Sequence, residues 1–387
     1  MAQLQAGKGT VEPATFTVQD HRVCLLHDGA QCYPAMLSAI AAAEREVFME
    51  MYWFGSDRAG WSFAEAMIER ARAGVDVRLL YDAIGSIDAD GEIFDAMCAA
   101  GVRVLQYNPI APWRRRFRLD RLGRRTHRKI LVVDGRVGFT GGVNIGDPWL
   151  PVGQGGQGWR DDMVRIVGPA ATTLRGVIRH GWRQMEKGEE ADEVSPPARL
   201  LGPGEGHGVR ILANRYYGKA RAIRAHFLRR IRGAKRNVYI SNSYFLPDRT
   251  VRWALARAAK RGVDVRLLIP ARSDVAAVHY ATRKMFPWLL KRGIAIYAWL
   301  PSVLHSKTAM VDGRWCTVGT YNLDYLSWRS NLEVTASIED DAVSQALETR
   351  FLQDLTQAQR VDGALLREEP WYSRLLANFF WPFRKFL

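Results

Sequence analysis

The pattern H-x-K-x4-D occurs twice in this chain, as HRKILVVD at residues 127–134 and as HSKTAMVD at residues 305–312. In each copy six residues separate the aspartate from a glycine, and an asparagine follows three positions later. These followers are Gly141 and Asn144 in the first copy, and Gly319 and Asn322 in the second. Composition alone does not produce two copies with the same spacing. The sequence therefore predicts an internal duplication whose halves contribute to one site.

Other segments extend the duplication. GVDVRLL occurs identically at 74–80 and 262–268, and EVFMEMYWF at 46–54 matches NVYISNSYF at 237–245 in pattern. Each half reads as helix, strand, helix, strand, helix, strand and then the H-x-K strand. This alternation predicts an α/β fold with two pseudo-symmetric lobes, each a mixed sheet flanked by helices, that share one active site.

Domain boundaries follow from composition. The segment 185–206 is acidic, rich in proline and glycine and poor in residues to bury, so it is expected to be a linker. We expect an N-terminal arm at 1–20, a first lobe at 21–184, a second lobe at 207–360 and an amphipathic aromatic tail at 361–387.

The overall charge points to an anionic partner. The 387 residues carry a formal charge of +15, which favours nucleic acid, anionic lipid or another phosphate-rich substrate. The four cysteines are scattered without a C-x-x-C pair, so neither a zinc nor a redox motif is expected. The start has no signal-peptide pattern and no apolar run is long enough to span a bilayer, so the expected compartment is the cytoplasm.

Strand geometry separates the residues of each motif. Side chains alternate across a strand, so His127 and Lys129 share one face and Asp134 lies on the other. The same parity holds for His305, Lys307 and Asp312. The histidines and lysines are therefore expected to face a common site, whereas the aspartates are expected to hold the turn that follows.

Further candidates lie downstream of each motif. Gly141 and Gly142 permit close backbone approach before Asn144, and Gly319 is the matching glycine of the second motif. Asn144 and Asn322 offer amide donors to phosphoryl oxygens. A catalytic histidine also needs a partner on its second ring nitrogen. Asp161 and Glu333 begin matching strands in the two halves. We predict that Asp161 supports His127 and that Glu333 supports His305, with Asp162 as the competitor for the first role.

These motifs resemble those of the phospholipase D superfamily, and more closely those of bacterial cardiolipin synthases. The resemblance covers nearly all of residues 21–355 and includes five segments: HRKILVVDGRVGFTGGVNIGD, LHSKTAMVDGRWCTVGTYNLDYLSWRSNLEV, MEMYWF, YDAIGS and SYFLPD. It implies ping-pong phosphatidyl transfer, with His127 as nucleophile and His305 as acid and base. Lys129, Lys307, Asn144 and Asn322 would bind the phosphoryl oxygens. No metal and no cofactor is implied.

The resemblance implies phosphatidylglycerol as donor and acceptor, and cardiolipin as product. The chain opens without the two membrane-spanning helices of long cardiolipin synthases, so it resembles the short type. Two other readings stay open: a phospholipase D-type hydrolase, in which water is the acceptor, and a metal-independent nuclease. A monomer suffices for a complete site, because the duplication supplies both halves, and the oligomeric state stays open.

Two basic, aromatic segments are candidates for lipid contact. The loop 111–125 runs into the first motif, and basic residues beside an anionic membrane are favourable. The tail 371–387 combines aromatics with basic residues and no acid, which suits a membrane interface. The predicted contacts are Trp113, Arg114, Arg115, Arg116, Phe117, Phe379, Phe380 and Trp381. We expect a protein that is peripheral on the inner face of the cell membrane.

Overall fold

The computed structural model describes residues 12–110, 123–187, 208–214 and 222–386. Within these ranges each half of the chain builds an eight-stranded sheet. The strands of the first sheet are β1 (Thr15–Val18), β2 (His21–His27), β3 (Glu46–Met51), β4 (Asp76–Asp82), β5 (Arg103–Tyr107), β6 (Ile130–Val133), β7 (Val137–Gly141) and β8 (Asp162–Val167). Those of the second are β9 (Gly208–Ala213), β10 (Asn237–Asn242), β11 (Asp264–Pro270), β12 (Ala295–Trp299), β13 (Lys307–Val311), β14 (Trp315–Gly319), β15 (Val334–Glu339) and β16 (Ala358–Val361).

Helices cover both sheets. In the first half they are α1 (Asp28–Ala41), α2 (Arg58–Arg72), α3 (Gly91–Ala99) and α4 (Pro169–Lys187). In the second half they are α5 (Ala222–Gly233), α6 (Arg249–Lys260), α7 (Ala276–Arg283), α8 (Phe286–Leu290), α9 (Tyr325–Arg329), α10 (Asp341–Thr356), α11 (Gly363–Glu368) and α12 (Trp371–Phe380). Short 3₁₀ turns lie at Asp147–Trp149, Val152–Gln154 and Trp381–Phe383.

Apart from the edge strands β1 and β16, the two sheets repeat one topology. The first has the order β1-β2-β8-β7-β6-β3-β4-β5, and the second has the order β16-β12-β11-β10-β13-β14-β15-β9. In each, three strands joined by helices pair in parallel, β3 to β5 and β10 to β12. The H-x-K strand pairs antiparallel with the first strand of that trio. This arrangement confirms the predicted α/β class and the mixed sheet of each half.

Local sequence signals explain why the halves fold alike. Asp57 and Asp248 are the N-caps of α2 and α6, and each accepts backbone N–H bonds of the first turn. Gly74 and Gly262 end these helices with φ of 87° and 89°, where a side chain would be strained. The shared GVDVRLL segment therefore encodes a helix stop followed directly by a buried parallel strand.

A third core joins the halves. Each lobe has its own apolar core, and a further cluster lies between the two sheets, beneath α4 and α10. It combines first-lobe residues such as Val23, Ile130, Val164 and Leu174 with second-lobe residues such as Met310, Val334, Ile338 and Phe351. Because this shared core buries apolar surface from both sheets, it fixes the lobes against each other and brings the ends of β6 and β13 to one place.

The strands of the first sheet other than β1 lie within the predicted lobe 21–184. The second sheet lies within 207–360 except for the last residue of β16. Most of the predicted linker, from residue 188 onward, lies outside the described residues. The domain boundaries therefore stay predictions.

Candidate active site

The segment that leads into each H-x-K motif crosses to the other lobe. Thr126 forms a parallel bridge with Leu332, and the backbone N–H of His127 donates to the Leu332 carbonyl at 2.9 Å. In the same way Leu304 bridges Arg160, and the N–H of His305 donates to the Arg160 carbonyl at 2.8 Å. His127 is thereby held next to the residue after Leu332, and His305 is held next to the residue after Arg160.

The carboxylates pair with the histidines across the lobes. His127 Nδ1 lies 3.1 Å from both carboxylate oxygens of Glu333, and His305 Nδ1 lies 2.7 Å from Asp161 Oδ2. The predicted pairing within each half was therefore wrong. The sheet order explains why each histidine meets the carboxylate of the other lobe. Within one sheet β7 separates β6 from β8, and in the other β14 separates β13 from β15. The opposite lobe supplies the nearer carboxylate.

Both carboxylates have further donors. Asp161 Oδ2 also accepts from the Trp149 indole N–H at 3.0 Å, and its Oδ1 accepts from the Asp162 N–H at 2.8 Å. Glu333 accepts from the Thr320 hydroxyl. Because each Nδ1 faces carboxylate oxygen, the neutral rings carry their proton on Nδ1 and keep Nε2 as the basic nitrogen. This is the state that a nucleophile or general base requires.

The two lysines are buried, with 0% and 3% of their surface exposed. Lys129 Nζ donates to the His127 carbonyl at 2.9 Å, and Lys307 Nζ donates to the His305 carbonyl and lies 3.0 Å from His305 Nδ1. Burial, and then the charge of Lys307, lower the pKa of Lys129. Burial lowers the pKa of Lys307 to about 8 against the opposing charge of Asp161. Two desolvated cations side by side form a site suited to a phosphate anion.

The pKa values of the histidines and of Asp161 respond to the same burial. Burial lowers the pKa of His127, and the charge of Glu333 opposes the shift. Burial and Lys307 lower the pKa of His305 further, and burial raises the pKa of Asp161 to about 7. Lys307 acts on His127 and Lys129 acts on His305, so the charges of both motifs act within one site. Neutral imidazoles are the consequence.

The asparagines are oriented by residues just after β3 and β10. Asn144 Oδ1 accepts from the Trp53 N–H at 3.1 Å, and Asn322 Oδ1 accepts from the Ser243 hydroxyl at 2.8 Å. Since the amide oxygens are engaged on that side, the NH₂ groups point away from it as donors. A Cβ on Gly141 would lie 2.3 Å from the Asp162 carbonyl oxygen, so the predicted close approach is the packing of β8 against β7.

Aromatic rings line the site, a feature that the sequence-based prediction missed. Tyr52 lies edge-on to His127 at 5.0 Å between ring centroids, whereas Trp149, Trp159 and Tyr244 lie 5.3, 5.7 and 6.5 Å from the ring of His305. Tyr52 and Tyr244 belong to the MEMYWF and SYFLPD segments, so the aromatic ends of two matched strands were the available signal. The tryptophans had no counterpart in the second half to draw attention to them.

Asp162, the alternative candidate to support His127, binds other residues. It pairs with His27 at 2.7 Å, with Arg160 at 2.8 Å and with the Ser306 hydroxyl at 2.6 Å. Burial by itself raises the pKa of Asp162, but Arg160 and His27 outweigh burial and lower it. Arg160 also binds Asp354 of the second lobe at 2.8 Å. The result is a buried ionic network across the lobes at the crossing that carries His305.

The motif aspartates lie away from the histidines. Asp134 accepts the backbone N–H groups of residues 44–46 at 2.8–3.1 Å, and Asp312 accepts those of residues 235–237 at 2.7–3.1 Å. Both have positive φ, 52° and 58°, which aspartate tolerates better than most residues. A structural role was predicted, but the segment held is the loop before β3 or β10 rather than the turn after the motif.

The predicted lipid contacts differ in their placement. Trp113, Arg114, Arg115, Arg116 and Phe117 lie outside the described residues, and Arg125 at the end of that loop is buried beside Asp82. In the tail, Phe379 is 62% exposed. Phe380 and Trp381 are half-buried and pack against the core of the second lobe, where Phe380 stacks on Tyr280, so their contact with lipid stays a prediction. None of the described helices is long and apolar enough to cross a membrane.

Comparisons with known proteins identify the family of this chain. The profile of the family described as "Cardiolipin synthase, PLD-like domain" matches residues 36–150 and 227–355. A cardiolipin synthase of Geobacillus kaustophilus is 35% identical over 92% of this chain and 70% of its own length. A probable cardiolipin synthase of Bacillus subtilis is 31% identical over 87% of this chain and 66% of its own length.

Among solved structures, a phosphatidylserine synthase of Haemophilus influenzae aligns with a TM-score of 0.72 over 97% of both chains, at 14% identity. At that identity the likeness shows the shared two-lobed fold alone. The family profile and the curated relatives carry the assignment. This chain belongs to the cardiolipin synthase family of the phospholipase D superfamily, a family of phosphatidyltransferases.

Proposed function

We propose that this protein makes cardiolipin by moving a phosphatidyl group from one phosphatidylglycerol to the hydroxyl of another, through a phosphohistidine. The observation that carries the proposal is the crossed pair of dyads, His127 with Glu333 and His305 with Asp161, around two buried lysines. A nucleophile and a separate acid-base group, with cations between them, are what a two-step phosphodiester exchange requires.

In the first step His127 Nε2 attacks the phosphorus of the donor. The bond from phosphorus to the glycerol oxygen breaks, and His305, which takes up a proton when the anionic phosphodiester binds beside it, gives that proton to the departing glycerol. Glu333 stabilises the positive charge that develops on the His127 ring, because it accepts from Nδ1. The product of this step is a phosphatidyl group on Nε2.

In the second step a hydroxyl of another phosphatidylglycerol gives its proton to His305 and attacks the phosphorus. The bond from phosphorus to nitrogen breaks and His127 is restored. His305 is neutral after the first step, as burial beside Lys307 favours, so it is ready to act as the base. Water in place of the second lipid would give phosphatidic acid, which is why exclusion of water decides the product.

Four donors would hold the phosphoryl oxygens throughout. The ammonium groups of Lys129 and Lys307 and the amides of Asn144 and Asn322 supply charge and hydrogen bonds to the crowded phosphorane. Their positions are fixed by burial and by bonds to Trp53 and Ser243, so little reorganisation accompanies the reaction. The two lysine ammonium groups supply the positive charge that stabilises the negative charge on the phosphoryl oxygens.

The proposal is tested with purified protein and phosphatidylglycerol vesicles. Cardiolipin and glycerol in equal amounts are the expected products. Phosphatidic acid alone would identify a hydrolase, and cleavage of single-stranded DNA without lipid turnover would identify a nuclease. His127→Ala should abolish labelling of the protein by phosphate-labelled lipid. His305→Ala should retain a labelled peptide that contains His127, because the nucleophile is intact whereas the acceptor hydroxyl has lost its base.

We also propose that the tail seats the site on an anionic membrane. Its exposed face carries Trp371, Phe379 and Phe386, which are 73%, 62% and 77% exposed, whereas Phe380 anchors the helix to the lobe. Replacement of these three exposed residues by serine should release the protein from anionic vesicles in sedimentation. Val152→Ser, which removes an exposed apolar side chain elsewhere, is the matched control and should leave binding unchanged. Equal binding by the triple variant would refute the tail's role.

A further inference from the structure

The loops that follow β4 and β11 diverge although both strands begin with the same five residues, DVRLL. Counted from the shared GVDVRLL segment, Ser86 aligns with Asp274. Ser86 is buried; its hydroxyl accepts the Phe54 N–H and donates to the Tyr52 carbonyl. Asp274 is exposed. The duplication has therefore kept a structural hydroxyl in one lobe and placed a solvent-facing carboxylate in the other.

Two hydroxyl groups hold this carboxylate. The Tyr244 phenol donates to Asp274 Oδ2 at 2.5 Å, and the Ser273 hydroxyl donates to Oδ1 at 3.3 Å. Tyr244 aligns with Trp53 of the first lobe, so the phenol too belongs to one half only. The carboxylate is thus oriented, while its remaining lone pairs are available to a ligand at the surface.

Asp274 lies on the His305 side of the site. The Tyr244 ring is perpendicular to the His305 ring, with 6.5 Å between centroids. Burial and Lys307 lower the pKa of His305, and the charge of Asp274 is the largest influence that opposes them. Asp274 is also among the charges that act on Lys307. A carboxylate here repels the phosphate itself and accepts hydrogen bonds from the neutral part of a substrate.

We propose that Asp274, oriented by Tyr244 and Ser273, binds the hydroxyl groups of a glycerol headgroup beside His305 and so selects polyol alcohols for transfer. The inference rests on the proposed function, in which His305 protonates the departing glycerol and deprotonates the acceptor. The departing glycerol and the acceptor alcohol must then both lie on the His305 side of the site. A carboxylate with two oxygens suits a glycerol headgroup, because adjacent hydroxyls reach both oxygens at once.

The test measures a choice between two acceptors. Phosphatidylglycerol vesicles are supplied with ethanol, so that transfer to lipid gives cardiolipin and transfer to ethanol gives phosphatidylethanol. Asp274→Asn should lower the ratio of cardiolipin to phosphatidylethanol about tenfold, the usual effect of losing a hydrogen bond to a charged group. Both products come from one phosphoenzyme, so a general loss of activity or folding leaves this ratio unchanged.

Two further variants sharpen the result. Asp88→Asn removes the same charge from an exposed position in the equivalent loop of the first lobe, and should leave the ratio at the wild-type value. Tyr244→Phe should lower the ratio about threefold, since it loosens the carboxylate without removing it. The double variant with Asp274→Asn should be no lower than Asp274→Asn alone, because Tyr244 acts through that carboxylate.

An unchanged ratio in Asp274→Asn would overturn the inference, even if both products fell together. The inference would also fall if, with ethanolamine as the added acceptor, Asp274→Asn lost more transfer to ethanolamine than to phosphatidylglycerol. The carboxylate would then recognise an ammonium group. Failure of the proposed function has a separate signature: the wild-type protein would form no cardiolipin.

Discussion

The surroundings of His127 and His305 differ although the backbone around them is the same. Each histidine follows a segment that bridges the opposite lobe, and each meets a carboxylate there. The bridge partner is Leu332 at the first crossing and Arg160 at the second. The duplication places the two histidines equivalently, and their different neighbours give them different environments. A nucleophile and an acid-base group need such a difference.

The difference is mainly electrostatic. Arg160 is buried and bound to Asp162 and Asp354, so an ionic network holds the second crossing. At the first crossing the aligned Leu332 packs in a small apolar cluster with Leu80 and Trp182. Indole rings surround His305, whereas a single tyrosine ring faces His127. Ion pairs between the lobes therefore hold the crossing at His305. At the crossing of His127 the contact between the lobes through Leu332 is apolar, and the buried ion pairs beside it, Arg125 with Asp82 and Arg128 with Glu50, lie within the first lobe.

The largest expected effect tests the crossed pairing itself. Glu333→Gln should lower kcat about 10³-fold, because His127 loses the group that stabilises its charge. Asp161→Asn should act similarly on His305. Nitrogen NMR of the imidazoles checks the assignment: Glu333→Gln should change the signals of His127 and spare those of His305. The reverse pattern would return the pairing to that predicted within each half.

The next prediction converts one crossing toward the other. Arg160→Leu copies the residue at position 332 but leaves Asp162 and Asp354 buried without their cation. The free energy of unfolding should fall by about 3–5 kcal/mol. Leu332→Met, a change of similar volume at the apolar crossing, should cost less than about 1.5 kcal/mol. Urea unfolding measures both, and equal losses would show that the two crossings are held alike.

The pH dependence of catalysis tests the buried lysine beside His305. Burial lowers the pKa of Lys307 to about 8, so the cation that would bind phosphate is lost as pH rises through that value. Above pH 8, kcat/KM should fall about tenfold per pH unit. Lys307→Arg should move this limb to higher pH, because arginine keeps its charge. A limb that does not move would assign the titration to another group.

The same lowered pKa has a stability consequence of defined sign. The unfolded lysine, with an ordinary pKa near 10.5, binds its proton more tightly than folded Lys307 does. Between about pH 8 and 10.5 the unfolded chain therefore holds more protons, so this group's contribution to stability rises with pH. It is least favourable below pH 8.

The smallest effects are expected where the two halves are most alike. Asp134→Ala and Asp312→Ala each remove an acceptor of three backbone N–H groups from a residue with positive φ. Each should cost about 1–2 kcal/mol of stability, with kcat of the folded protein within about twofold of wild type. Denaturation and activity of the same samples check this. A hundredfold loss of kcat at unchanged stability would place either aspartate in catalysis.

Local patterns predicted much of this molecule. Repeat spacing and strand alternation predicted the two α/β lobes, the shared site and the separation of His127 and Lys129 from Asp134. They did not predict which carboxylate each histidine meets, because β8 and β15 begin alike and both candidates are plausible in sequence. Trp149, Trp159 and Arg160 escaped prediction because each lies in one half only, where no repeat marks it.

The sequence by itself determined the duplication, the strands and the residue types of the site, since these depend on periodicity and spacing along the chain. Only the tertiary structure decided that Glu333 belongs to His127 and Asp161 to His305, and that Arg160 joins the lobes. The physical reason is that these contacts arise when two sheets bury a common apolar core. The alignment of one lobe against the other is a property of that packing and not of any local segment.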